Sequence, residues 1–166
     1  VMQGTSVYRI QEAGTLPQLT GTSHSLASGT TIEYYGGTAG GGGNAQTAAS
    51  SASYPYANIL VTSDTNLNMS LVSNVSGNLT LEDDAVITNN AVLTIGGAFN
   101  FDSNGNTTLS NNMTTGSAVF TNNGTFTYSG RTITINGTNG VWKNDGGSFT
   151  TSTTSKVAFT TGTGQQ

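Results

Sequence analysis

Phe120-Thr121-Asn122-Asn123-Gly124-Thr125-Phe126 is followed by a second passage of the same design, Val141-Trp142-Lys143-Asn144-Asp145-Gly146-Gly147-Ser148-Phe149. In each, an aromatic leads into an Asn-Gly or Asp-Gly turn, and a Phe closes the unit. The copies lie 22 residues apart. A fixed period of this size marks a repeat architecture, in which one small unit stacks on the next. If each unit is one turn of a parallel coil, Asn122 lies beneath Asn144 and Phe126 lies near Phe149. Stacked Asn side chains form hydrogen-bonded ladders. Stacked aromatics fill the space between walls.

Working outward, the rest of the chain reads as short strands broken by turns. Leu79 and Leu81, Leu93 and Ile95, and Ile133 and Ile135 alternate with polar residues. Period two is the sign of a strand with one dry face and one wet face. Asn89-Asn90, Asn111-Asn112 and Asn136-Gly137 punctuate these runs as turns. The expected core is Leu79, Leu81, Leu93, Ile95, Phe120, Phe126, Ile133, Ile135, Trp142 and Phe149. The expected ladder is Asn122 with Asn144.

The spacing predicts an all-β chain, a right-handed parallel β-helix or β-solenoid with rungs of about 22 residues. About seven rungs at ~4.8 Å would make a rod some ~35 Å long. Tandem β-sandwich repeats are the alternative, but a sandwich of about 100 residues has no reason to repeat at this interval. Residues 1–166 read as one module of a longer repetitive chain. Residues 38–53, rich in Gly, Ala and Ser, read as a loop thrown out from the side of the coil. Residues 155–166 read as the start of a next unit.

Composition narrows the partners. Only 7% of the residues are charged, with four Lys and Arg against eight Asp and Glu. Phosphate neutralisation needs clustered basic residues, so nucleic acid is excluded as a partner. No apolar run approaches the ~20 residues of a membrane span. There is no cysteine, hence no disulfide and no thiolate chemistry.

An ordered set of motifs resembles a repeated unit in large secreted surface proteins of Bacteroidota. The residues that carry it are Ser28-Gly29-Thr30-Thr31-Ile32-Glu33-Tyr34-Tyr35-Gly36-Gly37, Ala45-Gln46-Thr47 and Tyr56-Ala57-Asn58-Ile59-Leu60-Val61. Gly77-Asn78-Leu79-Thr80-Leu81, Leu93-Thr94-Ile95-Gly96-Gly97-Ala98-Phe99 and the opening FTNNGTF follow in the same order. The likeness runs over residues ~27–166; the individual motifs are degenerate and their order is the specific part. It implies a β-solenoid stalk or adhesin, exported and held at the cell surface or outside the cell. Neighbouring repeats or identical subunits joined end to end are the partners it implies. The Gly/Ala/Ser-rich segment between the Glu33-Tyr34-Tyr35-Gly36 motif and the motif that begins at Tyr56 is longer than in that unit, and charge is lower, which leaves room for a specialised assembly role.

Candidate chemistry is sparse. His24 is flanked by serines and reads as a loop residue rather than half of a triad. Glu82-Asp83-Asp84 is the one acidic cluster; it reads as solvated turn acids or as a weak Ca²⁺ site. Asp102-Ser103-Asn104-Gly105-Asn106 is a second weak Ca²⁺ candidate, with its Gly misplaced for an EF-hand loop. Tyr54 and Tyr56 are candidate surface-glycan contacts, weighed against a role in the core. Nothing in the sequence asks for a cofactor. The expectation is a non-catalytic extracellular or cell-surface structural module, with a glycan-binding module as the rival and a polysaccharide lyase-like β-helix as a distant third.

Overall fold

A computed structural model describes residues 5–11, 26–36, 46–62, 64–121 and 123–160. These form sixteen strands, and no helix occurs among the described residues. Each turn of the chain passes through three walls. The first wall contains β6 (Asn74–Val75), the leading part of β9 (Leu93–Ser103), the leading part of β11 (Met113–Phe120), β13 (Thr132–Ile135) and β16 (Lys156–Phe159). The second contains β1 (Val7–Gln11), β2 (Thr31–Tyr35), β4 (Asn58–Val61), β7 (Leu79–Asp83), the trailing parts of β9 and β11, and β14 (Trp142–Asn144). Because β9 and β11 run on through the corner, these two walls form one ten-stranded sheet. The third wall is a separate six-stranded sheet of β3 (Gln46–Thr47), β5 (Asn66–Asn68), β8 (Val86–Asn89), β10 (Asn106–Leu109), β12 (Thr125–Thr127) and β15 (Ser148–Thr150).

All pairings between these strands are parallel. The chain is a parallel β-solenoid of about six turns. Sandwich repeats are thereby excluded, since hairpins and Greek keys pair antiparallel.

The rung length differs from the 22 residues that the opening motif suggests. In the middle of the rod, Leu79 lies on Phe99, Leu93 on Met113 and Met113 on Ile133, each twenty residues on. Towards the C-terminal end the rungs lengthen, with Phe126 on Phe149 and Ile133 on Val157. The extra residues go into the turns. Phe126 and Phe149 fall in register on neighbouring rungs, but Phe120 lies on Asn144, and Trp142 lies on Ala118. The expected Asn122–Asn144 ladder falls at this corner. Asn122 lies outside the described residues, and Asn144 closes its own turn. Its Oδ1 accepts from the Gly147 amide at 2.7 Å, and its Nδ2 donates to the Gly147 carbonyl at 3.0 Å.

An asparagine ladder runs through Asn58 and Asn78. Asn58 Oδ1 accepts from the Asn78 amide at 2.9 Å, and Asn78 Oδ1 accepts from the Ala98 amide at 2.8 Å. One side chain thus satisfies a backbone donor of the next rung at the start of the second wall. We expect Asn78→Ala to lower stability by about 1 kcal/mol, the net worth of one such bond. Chemical denaturation with an unchanged slope would read this out.

The core is a narrow apolar strip enclosed by the three walls. Leu79, Leu81, Leu93, Ile95, Phe120, Phe126, Ile133 and Ile135 are all fully buried. Trp142 and Phe149 are half-buried against them at the C-terminal end. Several inward positions carry polar side chains, and these bond to corner backbone. Ser103 Oγ donates to the Ala85 carbonyl at 2.6 Å, and Thr115 Oγ1 donates to the Ser117 carbonyl at 2.8 Å. Such pairing removes the cost of an unsatisfied buried group. Outward on the third wall, Asn68, Thr88, Thr108, Thr127 and Thr150 fall in one row along the axis.

The expected side loop over 38–53 does not extend over its second half. Gln46 and Thr47 form a strand of the third wall, and Ala48 is fully buried. Ser51 Oγ lies 3.1 Å from Ser73 Oγ on the next rung. Residues 46–53 therefore belong to the coil, and 37–45 lie outside the described residues. At the other end, Lys156–Phe159 pair in register with Thr132–Ile135 and continue the rod, while 161–166 lie outside the described residues.

Candidate functional site

The acidic cluster is split by strand geometry. Glu82 points outward in the second wall, next to Asp102 on the following rung. Burial, then the charges of Asp83, Asp102 and Glu33, hold its carboxyl above the usual range. Asp83 adopts a positive φ of 54° at the corner, and its carboxylate accepts from Thr62 Oγ1 at 2.7 Å. Asp64 takes the same left-handed conformation, with φ 59°. Asp and Asn tolerate it because their short polar side chains bond locally. Asp84 hydrogen-bonds Asp64, whose carboxyl is held up by desolvation first and by Asp84 second.

The three acids thus face three different partners, and the expected Ca²⁺ ligand set does not converge. Among the described residues, no group of three His, Cys, Asp or Glu side chains is arranged to hold a metal. The second candidate loop is also a corner of the coil. Asp102 Oδ1 accepts from Thr121 at 2.8 Å, Ser103 is buried, and Asn106 begins a strand. His24 lies outside the described residues.

The tyrosines expected at a sugar-contact face point inward. Tyr56 is 0% exposed and Tyr54 8%. Neither offers a ring face to a ligand, which corrects the reading of this pair as a glycan contact. Tyr56 donates its hydroxyl to the Ala49 carbonyl at 3.1 Å, and its oxygen lies 3.0 Å from that of Tyr34. Two neutral phenols share this buried spot. Desolvation pushes Tyr34 up from 10.0 to about 12. Desolvation, and then the neighbouring Tyr34, raises Tyr56 further.

An acid whose folded pKa lies above its unfolded value supports the fold fully below the unfolded value. That support is lost as pH rises through the folded one. We therefore expect stability to decline from pH 10 towards pH 12, the window of Tyr34. The double variant Tyr34→Phe with Tyr56→Phe should move the midpoint of alkaline unfolding upward. Circular dichroism along a pH titration measures it.

What remains on the wet surface is largely neutral. Arg9 forks onto Glu33, with Nε–Oε2 at 2.9 Å and Nη2–Oε1 at 2.6 Å, and its guanidinium lies 4.7 Å from the Tyr35 ring centroid. This ties the first two rungs together. At the C-terminal end an aromatic plug forms. Phe120 contacts Trp142 and Phe149, each at 4.9 Å between centroids, and Trp142 contacts Phe149 at 5.4 Å. Val157 and Phe159 are half-buried beside it. Among the described residues, no strand pairs with the outer edges of β14, β15 or β16, nor with the outer edges of β1 and β3. The last apolar layer of the described coil, at β14 to β16, is half covered.

No family model matches the chain, nor does any curated protein or solved structure. The geometry alone carries the functional argument. It brings together the core aromatics and the rung edges. It separates the acids and buries the tyrosines. The Asn58–Asn78 ladder and the glycine corner described below escape a reading anchored on the 22-residue motif. Their signal in the sequence is the 20-residue spacing of Asn58 with Asn78 and of Gly77 with Gly97.

Proposed function

We propose that the chain is a non-catalytic structural module of an extracellular or cell-surface fibre, stalk or adhesin, whose rungs continue axially into neighbouring repeats or identical subunits. The observation that carries this reading is the parallel, in-register stacking of rungs along one axis, an arrangement that further rungs extend by the same pairing. Unpaired strand edges are templates for pairing, and solenoids elsewhere cap them with polar or irregular elements. Here Trp142, Phe149, Val157 and Phe159 are only half covered where the next rung would lie. The low charge of the chain supports the same reading, because stacked rungs with few charges do not repel along the axis. The likeness to repetitive Bacteroidota surface proteins points the same way.

Negative-stain electron microscopy of the native material tests it. Rods or filaments with a regular axial repeat are expected. In the isolated chain, Val157→Asp with Phe159→Asp should abolish filaments while circular dichroism still shows a β spectrum. Short particles of constant length in native material, unchanged by the double variant, would refute axial continuation.

A further inference from the structure

We infer that the outer face of the third wall binds a neutral polysaccharide chain, a site separate from the rod ends. A depression of about 510 Å³ lies on this face over β5, β8 and β10, in the size range of small-molecule sites. Asn66, Val86, Thr88, Asn104, Asn106 and Thr108 line it, with Asp84 at its rim. Amides and hydroxyls that both donate and accept match the hydroxyls of a polyol. The lining holds no Lys or Arg, and its one charge is negative. That chemistry repels sulfated, phosphorylated or uronate chains, which call for cations.

The lining repeats across rungs, with Asn66 in register with Val86 and Thr88 in register with Thr108. The side chains of Thr88 and Thr108 are exposed on this wall. Two residues before Thr88 on the same face, the Val86 side chain adds an apolar group suited to the C–H face of a pyranose ring.

The face is rigid because its side chains stand on strands and not on loops. Gly105 lets the corner close tightly. A Cβ there would come within 2.6 Å of Val86 Cγ1 and 2.7 Å of the Asp84 carbonyl. Rungs ~4.8 Å apart repeat the same groups along the axis. Two rungs come close to the repeat of an extended β-linked disaccharide, so successive sugars meet equivalent groups. A preformed array loses little entropy on binding. A flat ice lattice would need an unbroken hydroxyl plane. Val86 interrupts that plane, and the face is concave here.

The test is affinity electrophoresis of the whole chain through gels holding laminarin, xylan, mannan or hydroxyethylcellulose, with alginate as the anionic comparison. Retardation by at least one neutral polymer, and none by alginate, is expected. Thr108→Glu should weaken it at least about tenfold. Asn66→Ala should weaken it too, and Thr134→Glu on the first wall should leave it unchanged. Melting temperatures should report that each variant is folded. No retardation in any neutral gel overturns the proposal, as does equal loss with Thr134→Glu. Inhibition of ice recrystallisation that disappears in Thr108→Glu, without glycan retardation, would reassign the face to ice. Failure here leaves the rod reading intact, since filaments are scored separately.

Discussion

Phe126→Asp should abolish the folded rod. Phe126 is fully buried, and its ring lies 5.3 Å from Phe120, 5.4 Å from Phe99 and 5.7 Å from Phe101, centroid to centroid. It also stacks in register on Phe149 of the next rung. Emptying such a site costs about 3–5 kcal/mol for Phe→Ala alone. A carboxylate adds the several kcal/mol needed to desolvate an unpaired charge. The sum is comparable to the whole stability of a domain, about 5–15 kcal/mol. The expected result is loss of the β signal in far-ultraviolet circular dichroism at room temperature. Phe126→Leu, which keeps most of the volume, should fold with a lowered melting temperature. A folded Phe126→Asp with near-native melting would show that the aromatic strip is not the core.

The second large effect is expected at a corner. Gly77, Gly97, Gly116 and Gly137 stack where the first wall turns into the second. The Gly97 amide donates to the Gly77 carbonyl at 2.8 Å, and the Gly137 amide donates to the Gly116 carbonyl at 3.2 Å. At Gly116 the pairing of β11 with β9 slips, between Thr115 and Ser117. A Cβ at Gly116 would meet the Gly97 carbonyl oxygen at 2.7 Å and that of Gly96 at 3.1 Å. Both obstacles are backbone, so neither swings away as a side chain would. Gly116→Val should therefore push adjacent rungs apart.

Overpacking of this kind costs about 1–3 kcal/mol. Stiffening the unfolded chain returns only about 0.4–1 kcal/mol, so the net effect is destabilising. Gly116→Ala should cost less than Gly116→Val, and both should lower the midpoint of denaturant unfolding. Thr114→Val, two residues away and facing outward, is the control and should change little.

These two sites differ in how plainly they show in the sequence. Phe126 stands out there, because the FTNNGTF passage and its echo place a Phe at the same point of two units. Gly116 does not. Its neighbours Thr115 and Ser117 carry no alternating apolar pattern that would reveal a strand turning a corner. The same holds for β10, where buried Thr107 takes an inward position that an apolar residue usually fills. The strand β5 offers only Leu67 between two asparagines. Such strands are recognised by their neighbours on adjacent rungs, which a reading of local pattern does not supply.

The candidate site divides along the same line. Composition and period two determine by themselves that this chain is all-β, that its walls have one dry and one wet side, and that Leu, Ile and Phe at alternating positions turn inward. Those facts follow from side-chain geometry along a single strand. Only the tertiary structure decides the register, because pairing depends on how many residues each corner consumes. Twenty residues per rung in the middle of the rod, rather than 22, set Asn58 on Asn78, and the longer rungs at the C-terminal end set Phe120 on Asn144. The same corners turn Glu82, Asp83 and Asp84 to three different partners and fold Tyr56 inward against Tyr34. They also gather Asn66, Val86 and Asn106 from three turns onto one outer face. No local pattern announces that face, since its members are separated by the length of a rung and meet only when the coil closes.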